Sequence, residues 1–170
     1  AQRMHDLLDA MTAMAGQWIT ADMMLTIGPG QTHTTLVSAL NWLKTRPIVS
    51  TATVTLTLTP GQHIVDGAEL AFNHPHGQRI RLKGAAMSGA DPVAGDFAVT
   101  GNSPAARAAD AATNLTMLRA KYGSEIRLTG GARLAVYGGG LGLVDDILLT
   151  SDGSLAYGMY IDGAQVTFEI

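Results

Sequence analysis

The side chains in this sequence best suited to chemistry are a set of carboxylates and one closely spaced pair of imidazoles. Two carboxylates flanking a glycosidic bond can split it, one as acid and the other as base or nucleophile. The acids weighed for that role are Glu125, Asp145, Asp146, Asp152, Asp162 and Glu169. Only Asp145 and Asp146 are adjacent, and neighbours on a strand point to opposite faces. The expectation is therefore one exposed acid and one in a corner, since acids beside turns ordinarily stay solvated or cap backbone amides.

His74 and His76 sit in Asn73-His74-Pro75-His76, an extended turn from which both imidazoles could face one way and, with further ligands from symmetry mates, hold a metal. No third ligand type lies nearby in sequence, which favours a surface turn with locally bonded rings. His5, His33 and His63 are isolated and read as polar surface residues. The run Gly138-Gly139-Gly140-Leu141-Gly142 does not open a helix, as a phosphate loop must, and reads as a tight corner. Asn114-Leu115-Thr116 matches a glycosylation acceptor but falls inside a helix. No nucleophile elbow, zinc-protease or lysine-bearing phosphate motif occurs. The sequence thus assigns no catalytic, cofactor-binding or metal residue.

The elements that would carry these side chains are short. Met4, Met11 and Trp18 fall seven apart, with Leu7 and Met14 between, so residues 1–20 read as an amphipathic helix for assembly or attachment. Met24 to Ile27 reads as a strand closed by Gly28-Pro29-Gly30. A helix spans about 34–45, capped by Thr34 or Thr35 and stopped by Pro47. From Thr53 to Thr59, threonines alternate with Val54, Leu56 and Leu58, the period of a strand buried on one face. Shorter strands follow at 63–65, 69–72, 79–82 and 97–100, with a long loop at 83–96. A second helix at about 103–122 starts at Ser103-Pro104 and presents Ala108, Ala111, Leu115, Leu118 and Tyr122 on one face. Strands at 125–128, 133–137, 144–149, 155–161 and 166–170 complete the chain. Strands of three to six residues, each followed by a corner of small residues, suit a chain that coils and lays each turn on the last.

Composition narrows the function. At 170 residues one domain is expected, covering 21–170 after the leading helix. An apolar fraction of 46% with 15% charged residues excludes disorder, and a mean hydropathy of +0.17 points to surface shared with other chains. A net charge of −3 with no basic run excludes nucleic acid as a partner. Without cysteine there is neither disulfide nor thiolate site. No apolar stretch is long enough to insert in a membrane. The start without Met and the strand-like finish at Val166 to Ile170 suggest a fragment of something longer.

Leu25 to Gly30 followed by Thr34 to Leu40 resembles the opening of pectate-lyase-like right-handed parallel β-helices, in which a first strand and turn lead into a capping helix. The threonine-rich strand Thr53 to Thr59 with Pro60-Gly61, and the turn His74 to Gly84, resemble the first full coil. The likeness is nearest to phage tail-spike and tail-fibre proteins, covers about 24–84 well, and extends to 125–170 only as repeated short strands. It implies a mainly β fold, the N-terminal part of a single-stranded right-handed parallel β-helix with the 34–45 helix as cap and the 103–122 helix inserted between coils. It further implies a virion structural protein of the phage tail: a homotrimer that attaches to other tail or baseplate proteins and presents a β-helix to a host cell-surface polysaccharide. The alternatives are a polysaccharide lyase or hydrolase whose catalytic coils lie outside this segment, and a secreted β-helical adhesin.

Overall fold

The computed structural model describes residues 3–5, 17–152, 159–162 and 166–168. In chain order the elements are β1 (Met23–Ile27), α1 (Leu36–Leu43), β2 (Val54–Leu58), β3 (Gly61–Asp66), β4 (Glu69–Phe72), β5 (Ile80–Lys83), α2 (Pro104–Lys121), β6 (Ser124–Thr129), β7 (Arg133–Tyr137), β8 (Leu141–Asp145), β9 (Ile147–Ser151), β10 (Met159–Asp162) and β11 (Val166–Phe168). Short 3-10 turns occupy Gly77–Arg79 and Ala94–Asp96. This is an α/β protein built on three parallel sheets, ordered β1-β2-β5-β8-β11, β4-β7-β10 and β3-β6-β9. Every pairing among the described strands is parallel, and from β2 onward each strand bonds to the one three places later in the chain.

Register follows from the apolar alternation. Leu25, Leu56, Leu82 and Val144 occupy one position across four neighbouring strands. Leu70 and Phe72 align with Leu134 and Val136 in the second sheet, and Val65 aligns with Leu128 in the third. Leu56, Leu82, Leu70, Phe72, Val136 and Leu128 are all essentially excluded from solvent. A one-residue slip would turn each row outward, and burying one such side chain stabilises by about 1.5–3 kcal/mol, so the rows fix the register.

Thr35 caps α1, its side chain accepting from the Ser38 amide, and Leu36, Ala39 and Leu43 turn the helix onto the core at the β1 end. Ser103 caps α2 at the Ala106 amide, with Pro104 in the first turn. Residues 84–123, which contain α2, leave and rejoin the strands at one corner: the Ala85 amide donates to the Ser124 hydroxyl, and Gly123 lies against Ala85 and Ala86.

Several expectations need correction. Of the N-terminal helix, Arg3–His5 are helical and residues 6–16 lie outside the described residues. Trp18 is not helical, because the neighbouring Ile19 bridges to Ile48. Residues 97–100 form no strand; their amides bond to side chains of α2, Ala98 to Asn114 and Thr100 to Asp110. The expected strand 144–149 is two strands of different sheets, divided at Asp146, whose φ of 55° turns the chain. On the expected face of α2, Leu115, Leu118 and Tyr122 are half-buried but Ala108 and Ala111 are exposed, while Asp110 is buried and Asn114 half-buried. Satisfying the backbone at 98–101 sets the helix orientation there, and the alanine stripe faces water.

Adjacent corners stack backbone to backbone. A Cβ on Gly139 would overlap the carbonyl oxygens of His74 and Pro75, where Gln78 N–H also donates to Gly139 O at 2.8 Å. Gly139→Ala is expected to cost about 1–3 kcal/mol of stability. Gly95→Ala, which meets open space, should stay within about 0.5 kcal/mol. Urea denaturation of both variants checks the contrast.

Candidate functional site

The alternation of β6 places Ser124, Ile126 and Leu128 inward and Glu125, Arg127 and Thr129 outward. Parallel register sets Gln62 of β3 directly beside Glu125, and Thr150 of β9 opposite Arg127, one diagonal step away. The last turn of α2 descends over this face and supplies Arg119. Its guanidinium grips the Glu125 carboxylate at two points, Nε to Oε2 at 2.8 Å and Nη2 to Oε1 at 2.7 Å. Thr150 Oγ1 donates to Oε1 at 2.5 Å and Gln62 Nε2 to Oε2 at 2.8 Å.

Glu125 is only 4% exposed. Burial alone would raise its pKa, but the donors of Arg119, Thr150 and Gln62, together with the Arg119 charge, overcome that and bring it down to about 2. Such a group stays ionised through the neutral range and has two donors on each oxygen. It has neither a proton to give nor a free lone pair well placed to take one. Beside it Gly61, Gln62, Tyr122 and Gly123 line a hollow of about 140 Å³, below the ~300–1,000 Å³ of typical ligand pockets. The arrangement is a charged clasp that fastens α2 to the outer face of the β3-β6-β9 sheet.

Comparison with protein-family models, curated proteins and solved structures finds no match for this chain.

The other sequence candidates are distributed over separate corners. Asp145 ends β8, and Asp146 occupies the following corner in the left-handed conformation, so the two carboxylates do not diverge as strand neighbours would. Both approach Lys83, at 3.1 and 3.8 Å. Asp152 accepts from the Gly130 amide at 3.0 Å. Asp162 lies in β10, and Glu169 lies outside the described residues. His74 and His76 do come together, with ring centroids 5.6 Å apart, but not as a locally bonded surface turn: His74 is buried, and the two rings bond the backbone of Arg46 and Ile48, far away in sequence, as well as the His76 amide. No cluster of three or more histidine or acidic side chains able to hold a metal occurs among the described residues.

His33 and His63 are buried, contrary to the surface reading, whereas His5 is exposed. The His33 ring meets Trp42 edge-on at 5.7 Å, and His63 Nε2 bonds the Thr59 carbonyl at 2.8 Å. Each buried imidazole has an apolar ring partner or a backbone bond that local sequence does not reveal.

Three charged contacts leave no signal in the local sequence. Arg119 is held by a residue six positions away across a helix end, outside any helical or strand period. Asp110 receives both the amide and the hydroxyl of Thr100, which with burial acting in opposition leaves its carboxyl below the usual range. Glu69, on β4, accepts from Arg133 and from Tyr137 Oη at 2.9 Å, and these bonds lower its pKa. Aligning the alternation of Gly61–Asp66 with that of Ser124–Thr129 would have found the Gln62–Glu125 neighbours.

Arg119→Ala strands Glu125 as a buried anion and should cost about 3 kcal/mol. Pairing it with Glu125→Gln should cost less than the sum of the single changes. Because the folded pKa of Glu125 lies below its ordinary 4.5, its stabilisation is full above pH 4.5 and drains away as pH falls toward 2. Denaturant titrations of the double-mutant cycle at pH 7 and pH 3 measure both effects, and additivity at pH 7 would dismiss the clasp.

Proposed function

We propose that the chain is a virion structural protein, the N-terminal portion of a phage tail spike or tail fibre. In this reading the three parallel sheets are the three faces of one right-handed, single-stranded parallel β-helix. The observation that carries it is the pairing of strands three places apart, β2-β5-β8-β11 alongside β3-β6-β9 and β4-β7-β10. A chain that meets itself every third strand, always in parallel, advances by one strand spacing per circuit, about 4.8 Å. Its aliphatic rows then run along the axis. Such a stack resists bending because every circuit is hydrogen-bonded to the next through all three faces, which is the mechanical requirement of a shaft.

In the same reading α1 covers the β1 end of the rows, and the segment preceding β1 joins the chain to symmetry mates and to other tail or baseplate proteins. The shaft presents its outer faces to a host cell-surface polysaccharide. Glu125, Glu69 and Asp110 are each tied to structural partners; the alternative, a polysaccharide lyase or hydrolase, places its catalytic coils outside this segment.

Light scattering tests the assembly. The full chain at micromolar concentration should show three times its 17.7 kDa mass, and removal of residues 1–18 should return it to one. Monomers in both cases would refute a trimeric shaft joined through its leading segment.

A further inference from the structure

The segment between α1 and β2 crosses the Asn73–Gly77 corner and is held there by two imidazoles. His74 is 5% exposed. Its Nδ1 accepts the His76 amide at 3.0 Å, which requires an unprotonated Nδ1 and places the ring proton on Nε2, where it is donated to the Arg46 carbonyl at 3.0 Å. His76 Nδ1 accepts the amide of Ile48, itself a core residue, at 3.1 Å. Both rings therefore present a lone pair to an N–H group. A proton added at either Nδ1 would face that N–H, and the bond would become a repulsion.

Among the described residues, no carboxylate bonds to either ring to offset such a charge. From the crossing segment comes Arg46, whose guanidinium is turned over the Trp42 ring at 4.0 Å and donates to the Trp42 carbonyl. From the 3-10 turn comes Arg79, bonded to the Ser50 carbonyl. The β7–β8 corner contributes the backbone of Gly139 against His74, and His76 is the remaining titratable neighbour. Every charged or titratable group named here is cationic or becomes so on protonation.

We propose that His74 and His76 form an acid-released latch: at neutral pH they pin residues 46–48 to the corner, and their protonation frees that segment and loosens the α1 end while the strands beyond stay paired. Burial, only partly opposed by the Arg46 carbonyl, lowers the pKa of His74, and the neighbouring His76 lowers it further. A folded pKa below the ordinary 6.5 means that the His74 contribution to stability is complete above pH 6.5 and declines as pH falls through 6.5 toward the folded value. The bonds lost are confined to one segment at one end, where opening can occur without global unfolding.

Residue-resolved hydrogen exchange on the full chain, corrected for intrinsic rates, tests this at pH 7.5 and pH 5.0. Protection of the Ile48 and Lys44 amides should fall at least tenfold, while that of Ile126 and Leu128 changes less than twofold. His76→Asn keeps an acceptor for the Ile48 amide but does not titrate, and it should remove the larger part of the loss at Ile48. Nuclear magnetic resonance of the imidazoles in the unaltered chain provides a readout independent of any variant: both rings should be Nε2–H tautomers at pH 7.5, with His74 titrating below 6.5. A uniform fall across the strands, no fall at Ile48, an undiminished fall in His76→Asn, or an Nδ1–H tautomer of His74 would each overturn the latch.

Discussion

The rest of this structure depends on the parallel register of strands that lie far apart in sequence. A parallel pair cannot be closed by a hairpin, so the chain must travel before it returns to its own edge. From β2 onward each return passes through two other sheets, as when β2 leads through β3 and β4 before β5. Register in one sheet then constrains the other two, because successive strands are joined by a few residues, except β5 and β6, whose connecting segment leaves and rejoins at one corner. Leu56 opposite Leu82 and Val65 opposite Leu128 are parts of the same constraint. The corners inherit it as a demand for backbone contact, which is why glycines line them where neighbouring carbonyls leave no room for a side chain.

Onto that frame the chain adds polar fastenings at the places where apolar rows cannot reach. Glu125 is buried on an outward position, a location that would be ruinous without Arg119, Thr150 and Gln62 around it. Arg119 remains partly open to solvent, which reduces the desolvation that a fully enclosed pair would incur. Asp110 and Asn114 perform a comparable task further toward the start of α2, standing in for a strand partner at residues 98–100. Charge and amide chemistry thus fasten α2 both to the β3-β6-β9 sheet at Glu125 and to residues 98–100.

What the sequence revealed follows the same division. The alternation of Val54, Leu56 and Leu58, the Thr35 cap of α1 and the Ser103-Pro104 start of α2 are local signals, and each element lies where the pattern put it. Residues 97–100 carry strand-like side chains but find a helix as their hydrogen-bonding neighbour, a long-range choice that local propensity does not encode. Asp146 interrupts an apolar run because an aspartate tolerates a left-handed turn that the flanking Val144 and Ile147 would resist. The burial of His33 and His63 depends on Trp42 and the Thr59 carbonyl, and the clasp around Glu125 draws on three separate elements. None of these could be seen before the register was known.

The excursion from residue 84 to residue 123 begins and ends at a single point of the frame, where Ala85 is bonded to Ser124 and Gly123 packs against Ala85. At the corresponding corners, β2 passes to β3 through Thr59 and Pro60, and β8 passes to β9 through Asp146 alone. A segment with coincident ends leaves the spacing of the strands on either side untouched whatever its length. That corner is therefore a socket: descent with variation, or a protein engineer, could exchange its contents for another appendage without re-setting the stack, provided that the replacement shields Glu125.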